Sequence, residues 1–199
     1  FLQEATGSWT IPGIQKLSWL SICNLLFGNL FPFFYSTVRK DIEKEVSDLF
    51  PYVYSSSKIK RYSCLCPLSF YDTGLMILSK TPLSDFEEHV YEQNFDLGLK
   101  GYIRCKLNET HIVNTHLIRS NYERLGHDRR ECNTVRRGQL NELFEHTKSY
   151  HNLIVGGDFN ICFNKHKNQY KKMLEVLNVE DCNRDGNTTN TIWGDTDSI

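Results

Sequence analysis

A short apolar strand that ends in two glycines is the feature that most constrains the fold of this chain. Residues Asn152 to Val155 predict a strand, and Gly156-Gly157 end it directly before Asp158-Phe159-Asn160. Two glycines allow another backbone or a ligand to approach closely. On an extended segment, side chains two residues apart project to the same side. We therefore expect Asp158 and Asn160 to converge and Phe159 to point to the opposite face.

An acid and an amide that converge on one point suit a phosphoryl centre. The carboxylate of Asp158 can orient or deprotonate a water molecule, and the amide of Asn160 can hydrogen-bond a phosphate oxygen. The alternative interpretation is a structural turn with no chemical role.

Two further polar motifs also follow apolar strands, which hold side chains more rigidly than loops do. His116 lies in Asn114-Thr115-His116-Leu117, where it can donate to a phosphate oxygen or transfer protons near neutral pH. A core histidine bonded to backbone is the alternative. Glu4 ends a predicted strand over residues 1–3, and one carboxylate with waters and substrate oxygens is a normal Mg²⁺ site. A surface glutamate is the alternative there.

Apolar periodicity and turn residues divide the chain into strands and helices. The predicted helices cover residues 39–50, 133–150 and 166–177, and the main predicted strands cover residues 52–54, 73–79, 101–107, 111–117 and 152–155. Polar loops are predicted over residues 5–13, 55–67 and 118–132. The strands are joined mostly as hairpins, and helices separate groups of strands. This order favours a layered α/β domain with mixed or antiparallel sheets over a doubly wound parallel sheet.

The charge pattern argues against a general affinity for nucleic acid. The formal net charge is −1, so a polynucleotide substrate would need a local basic patch. Arginines do cluster after His116, at Arg119, Arg124, Arg129, Arg130, Arg136 and Arg137. Acidic residues are interspersed among them, which favours a solvated face. Nucleic acid is therefore the less favoured partner.

A stretch without charge, from Leu17 to Val38, is rich in aromatic residues. It is long enough to span a bilayer, but Asn24, Gly28 and Pro32 interrupt it. Three interpretations stay open: a membrane span, an interfacial segment that inserts aromatics into a lipid surface, and a helix and loop buried on the domain. The seven cysteines, an odd number, predict scattered thiols or at most one disulfide.

Four motifs in a fixed order resemble the endonuclease/exonuclease/phosphatase superfamily of deoxyribonuclease-I-like enzymes, and most closely its neutral sphingomyelinases. The motifs are Gln3-Glu4, Gly74–Pro82 (GLMILSKTP), Asn114–Leu117 (NTHL) and Gly157–Asn160 (GDFN). Weaker support comes from Phe50-Pro51-Tyr52, Asp72-Thr73-Gly74, Leu99-Lys100-Gly101, Arg137-Gly138-Gln139-Leu140, Asp181-Cys182 and Trp193-Gly194. The resemblance extends over nearly the whole chain, apart from a mostly uncharged aromatic insert at about residues 10–37.

The resemblance implies one domain over residues 1–199, a four-layer α-β-β-α sandwich of mixed, mostly antiparallel sheets. It implies that Glu4 binds Mg²⁺, that Asp158 activates or orients the attacking water, and that Asn160 and His116 contact the phosphate. The implied reaction is hydrolysis of sphingomyelin or a related phospholipid to ceramide and phosphocholine, with peripheral membrane contact through Leu17–Tyr35. A membrane-associated or cytoplasmic location is favoured over secretion.

The sequence departs from the family at both ends. The upstream Asn of the family, and the terminal Ser-Asp-His that supplies its catalytic histidine, have no counterpart here. We therefore expect the chain to be truncated at both ends and inactive alone, and hydrolysis of labelled sphingomyelin by these 199 residues would overturn that expectation. The alternatives are a nuclease or inositol-phosphate phosphatase of the same superfamily, and an inactive binding module.

Overall fold

The computed structural model describes residues 7–9, 35–57, 60–61, 70–71, 73–94, 99–119, 128–161, 163 and 166–182. Within them, the elements in chain order are β1 (Gly7–Trp9), β2 (Tyr35–Thr37), α1 (Val38–Val46), β3 (Tyr52–Ser55), β4 (Lys60–Arg61), β5 (Phe70–Tyr71), β6 (Met76–Ser79), β7 (Ser84–Val90), β8 (Gly101–Leu107), β9 (Thr110–His116), α2 (Arg129–Thr147), β10 (Leu153–Asp158) and α3 (Lys167–Leu177). The chain divides into two compact units, Phe1–His116 with Asn152–Gly157 and Leu117–His151 with Asp158–Ile199.

The largest sheet of the first unit has the strand order β10-β9-β8-β7. Strands β7, β8 and β9 pair antiparallel, and a tight turn at Asn108 joins β8 to β9 in the register that places Gly101 opposite His116. Strand β10 runs parallel to β9. The His111 N–H bonds Asn152 O at 2.8 Å, and at the far ends of both strands the Leu117 N–H bonds Asp158 O at 2.9 Å, so the two strands advance in the same direction. The sheet is therefore mixed, as expected when a helix lies between β9 and β10 in the chain.

The core of the first unit consists of side chains from β6 and β8. Leu75, Ile77, Ile103 and Cys105 are buried together, with Tyr54, Leu83 and Ile112 packed against them. Burial of an aliphatic side chain of this size stabilises the fold by about 2 kcal/mol. Burial also raises the pKa of the Cys105 thiol to about 11, so this cysteine is an unreactive core residue.

Strand β7 was not predicted from the sequence. Its seven residues include two glutamates and an aspartate. The first four residues of the strand are exposed. It is an edge strand of the sheet, where charged side chains are common. Glu88 is the exception, since its buried carboxylate accepts the Ser57 N–H at 2.8 Å.

Several predicted boundaries were wrong by a few residues. Helix α1 ends at Val46 instead of continuing to Phe50, and Leu49, predicted to face inward, is 64% exposed. Strand β1 lies in the predicted loop over residues 5–13, and β4 lies in the predicted loop over residues 55–67, where it pairs with β5. Residues 10–34 of the predicted insert lie outside the described part of the chain. None of the described helices is long and apolar enough to cross a membrane.

The described helices of the second unit are α2 and α3. Helix α2 begins at Arg129, within the predicted loop, because the Asp128 carboxylate accepts the Glu131 N–H at 2.7 Å and caps the helix. Helix α3 ends at Leu177, and its C-cap residue Asn178 has a left-handed backbone with a φ of 52°. Their inward faces follow the predicted periodicity, with buried positions at Val135, Leu140, Leu143, Met173 and Leu177. The predicted α/β class with mixed, mostly antiparallel sheets agrees with these elements.

Gly101, at the start of β8, lies where the backbones of β7 and β8 approach each other closely. A Cβ atom added there would lie 2.1 Å from the backbone oxygen of His89. We expect Gly101→Ala to lower the free energy of unfolding by about 2 kcal/mol, because backbone atoms must move apart. Urea denaturation measures the loss. Ser84→Ala, at an exposed position of β7, is the control. Equal urea midpoints for Gly101→Ala and Ser84→Ala would show that β7 and β8 can move apart without a loss of stability.

Candidate active site

Strand β10 ends in a turn formed by Asp158 and Asn160. The Asp158 Oδ1 atom accepts the Asn160 N–H at 2.8 Å, and Asn160 has a left-handed φ of 52°. The prediction that these residues lie on an extended segment was therefore wrong. An aspartate readily accepts the N–H two residues later, and asparagine tolerates the left-handed region. The turn still brings the acid and the amide next to each other.

Asn160 and Asp158 both bond the backbone of Leu117. Asn160 Nδ2 donates to Leu117 O at 2.7 Å, and Leu117 N–H donates to Asp158 O at 2.9 Å. An asparagine amide has two N–H hydrogens and an acceptor oxygen, so the bond to Leu117 uses only part of its capacity. The turn is thus fixed without consuming the amide.

Two side chains of helix α2 hydrogen-bond the backbone of the next residue, Ile118. The Ile118 N–H donates to Gln139 Oε1 at 2.9 Å, and Arg136 Nη1 donates to Ile118 O at 3.2 Å. Gln139 is 0% exposed, so the Ile118 N–H has lost its access to water and needs this acceptor. Side chains of α2 therefore determine the backbone position on which the Asp158–Asn160 turn rests.

The guanidinium of Arg136 is buried, with 2% of the residue exposed. Its Nη2 atom also donates to Asn133 Oδ1 at 2.5 Å and to Gln169 Oε1 at 3.0 Å. Burial lowers the pKa of Arg136, while the neighbouring Cys132 and Asp158 oppose that shift. Arginine nevertheless stays protonated in proteins. Arg136 therefore does not belong to the solvated arginine face predicted from the sequence.

His116 ends β9 in the first unit and is 4% exposed. Its Nε2 atom lies 3.1 Å from Lys100 Nζ. An ammonium group can only donate, so Nε2 accepts and the imidazole proton resides on Nδ1. Burial, and secondly the charge of Lys100, lower the pKa of His116 to about 3. Proton transfer by His116 and donation from His116 to a phosphate both stay predictions.

The other polar residues of the Asn114–His116 motif bond within the sheet. Asn114 Nδ2 donates to Met76 O at 3.0 Å, and Thr115 Oγ1 donates to Gly101 O at 3.0 Å. Both are fully buried. These bonds fix the end of β9 and so determine the orientation of His116.

The depressed pKa of His116 predicts a loss of stability in acid. Below about pH 6.5 the unfolded imidazole takes up a proton, whereas the folded one stays neutral down to about pH 3. The unfolded state binds more protons in this window, so stability falls as the pH drops. Between pH 6.5 and 4.5 we expect wild type to lose about 2 kcal/mol more than His116→Gln, whose amide can still accept from Lys100. Denaturation at several pH values measures the difference.

His146→Gln is the matched control, because His146 is an exposed histidine on α2. It should retain the wild-type pH dependence. If His116→Gln also retained it, the neutral state assigned to His116 would be wrong.

The predicted site residues fall into three places. Asp158 and Asn160 are hydrogen-bonded neighbours in the second unit, His116 belongs to the first unit, and Glu4 lies outside the described residues. No role at the site was predicted for Lys100, Arg136 or Gln139. Lys100 and Gln139 occur in the short motifs Leu99-Lys100-Gly101 and Arg137-Gly138-Gln139-Leu140, but neither motif includes Arg136.

The described residues were compared with the ligand groups that hold metal ions in proteins. They contain no group of three or more His, Cys, Asp and Glu side chains that could hold a metal ion. The Asp158 carboxylate already accepts the Asn160 N–H and lies in the field of Arg136. The prediction that Glu4 binds Mg²⁺ stays a prediction.

Three solved structures share the fold of this chain. Sphingomyelinase C from Streptomyces griseocarneus is 19% identical with a TM-score of 0.59, over 72% of this chain and 54% of that chain. SmcL is 17% identical with a TM-score of 0.57, over 72% and 53%. A Staphylococcus aureus beta toxin mutant with bound magnesium ions is 24% identical with a TM-score of 0.53, over 72% and 54%.

These likenesses confirm the resemblance and the fold class predicted from the sequence. At such identities they show the fold alone. The chain spans about half the length of the structures it resembles. No protein-family model matches the chain, and no curated protein matches its sequence.

Proposed function

We propose that this chain, which shares its fold with a sphingomyelinase C and a beta toxin, belongs to a phosphodiesterase. Its proposed substrate is sphingomyelin or a related phospholipid, hydrolysed to ceramide and phosphocholine. The observation that supports this most directly is the Asp158–Asn160 turn at the end of β10, fixed on Leu117 by two hydrogen bonds. An acid and an amide held this rigidly can orient a water and a phosphate oxygen.

In the proposed reaction, a water molecule attacks phosphorus and the bond to the ceramide oxygen breaks. The water loses a proton, and the leaving oxygen gains one to form ceramide. Asp158 would orient the water and accept its proton, since a carboxylate is a hydrogen-bond acceptor with about four acceptor positions. General base catalysis of this kind contributes about 10²–10⁴-fold.

Asn160 and His116 would each donate a hydrogen bond to a phosphate oxygen. Asn160 would use the amide hydrogen that does not bond Leu117 O. Lys100 would add positive charge next to His116. Donors fixed before the substrate binds stabilise developing negative charge without having to reorganise.

Magnesium is part of the proposal, with Glu4 as its ligand. When bound, Mg²⁺ neutralises negative charge on the phosphate oxygens. The beta toxin structure with magnesium ions supports a metal in that protein. A membrane-associated or cytoplasmic location, with contact through Leu17–Tyr35, belongs to the same proposal.

A substrate panel tests this function on the longest natural form of the protein that contains these residues. Phosphocholine release from sphingomyelin is compared with hydrolysis of phosphatidylcholine, duplex DNA and an inositol phosphate, each with Mg²⁺ and with EDTA. We expect the highest kcat/KM on sphingomyelin and loss of activity in EDTA. Preference for DNA or the inositol phosphate would favour a nuclease or phosphatase. Hydrolysis of none of them would favour a binding module.

A further inference from the structure

An arginine face lies on the exposed side of helix α2. It consists of Arg129, Arg130, Asn133, Thr134 and Arg137, which line a shallow depression of about 460 Å³. Successive helical residues are rotated by about 100°, so these five side chains fall within a sector of roughly 140°. The face extends over about 12 Å of the helix.

Negative side chains of α2 do not neutralise the arginine face. Glu131 is rotated by roughly 130° from its centre, and the Asp128 carboxylate is bonded to the Glu131 N–H at the helix cap. In the part of the chain that the structure describes, no ion pair joins any of the three arginines to a carboxylate. Like charges this close along a helix repel each other. An anionic partner would relieve that repulsion.

We infer that the arginine face docks on the surface of an anionic lipid bilayer. The chain has a formal net charge of −1, so attraction to an anionic surface has to come from a local patch. Each arginine close to an anionic membrane raises the affinity about fivefold, and three together raise it about 100-fold. That strength suits reversible docking.

The size of the face favours a bilayer over nucleic acid. A DNA-binding protein makes roughly six to ten phosphate contacts. Even a single DNA-binding module buries about 600–1,000 Å² of protein surface. Three arginines over about 12 Å provide too few contacts. A bilayer offers anionic headgroups at any spacing, so a short patch is sufficient. The inference rests on the proposed function only in its choice of a lipid partner.

Vesicle sedimentation tests the docking without any hydrolysis. Vesicles of phosphatidylcholine, with or without about one third phosphatidylserine, are used at low salt without Mg²⁺ or sphingomyelin. The wild-type chain should bind the anionic vesicles about 100-fold more tightly than Arg129→Gln/Arg130→Gln/Arg137→Gln does. The control Lys44→Gln/Lys80→Gln/Lys167→Gln removes three exposed positive charges elsewhere and should stay within about threefold of wild type.

Three results would overturn the inference. They are equal wild-type binding to neutral and anionic vesicles, an equal loss in the lysine control, and tighter binding to duplex DNA that is lost in the arginine variant. If the triple variant fails to fold by thermal denaturation, Arg137→Gln alone should weaken binding about fivefold. Because no substrate is present, failure here leaves the result of the substrate panel intact.

Discussion

Replacing Asp158 with asparagine should lower kcat for sphingomyelin by about 10³-fold while the fold is retained. The amide oxygen of asparagine can still accept the Asn160 N–H, so the turn should persist. The amide cannot accept a proton from water, so the proposed general base is lost. Steady-state kinetics should show the loss in kcat with KM nearly unchanged, because the interaction acts mainly in the transition state.

Asp85→Asn is the control for this variant, since it makes the same charge change at an exposed position of β7. It should leave kcat and the thermal midpoint unchanged. Activity of Asp158→Asn close to wild type would exclude Asp158 as the base. A lowered thermal midpoint in that variant alone would instead assign Asp158 a structural role in the turn.

Arg136→Met should lower the free energy of unfolding by about 3 kcal/mol and reduce kcat as well. The substitution leaves Ile118 O, Asn133 Oδ1 and Gln169 Oε1 without their donor. The buried acceptor Ile118 O costs about 1–3 kcal/mol when it loses its partner. The half-buried acceptors of Asn133 and Gln169 add less, and the three costs are not fully additive. The reduction in kcat follows because Ile118 adjoins Leu117, which holds the Asp158–Asn160 turn.

Arg137→Met is the matched control, because Arg137 is the exposed neighbour on the same helix. It should change stability by no more than about 0.5 kcal/mol. Arg136→Lys should be intermediate, since a lysine retains the charge but lacks the planar fork that reaches several acceptors. Equal denaturation midpoints for Arg136→Met and Arg137→Met would show that the buried guanidinium does not stabilise the unit.

The strand and the polar motif at the centre of the candidate site could be predicted from the sequence, but their local geometry could not. The apolar run before Gly156 and the pair Asp158 and Asn160 were sufficient to predict β10 and its chemistry. The turn was missed because a period of two assumes an extended backbone. A single bond from the Asn160 N–H to Asp158 Oδ1 changes that backbone without changing the pattern.

Buried polar residues were the second limit. Arg136 shares the inward stripe of α2 with Cys132, Gln139 and Leu143, and that spacing was present in the sequence. The acidic residues among the neighbouring arginines nevertheless favoured a solvated face, and arginine is almost never fully buried unless it is paired. Its hydrogen bonds to Ile118 O, Asn133 Oδ1 and Gln169 Oε1 help to explain the burial.

The contact between His116 and Lys100 was missed although the sequence contained the signal. A turn at Asn108-Glu109 places Gly101 opposite His116, and so brings Lys100 close to the imidazole. Burial of Lys100 and His116 depends on tertiary packing, which the apolar pattern of one strand does not show. Strand β7 was missed for the related reason that an edge strand needs no apolar alternation.

Hydrolysis of sphingomyelin in oxygen-18 water tests the central proposal most directly. Attack of water on phosphorus should place the label in phosphocholine and none in ceramide, with the rate lowered about 10³-fold in Asp158→Asn. Mass spectrometry of the two products measures this. Label in the ceramide hydroxyl, or equal rates for wild type and Asp158→Asn, would contradict the account.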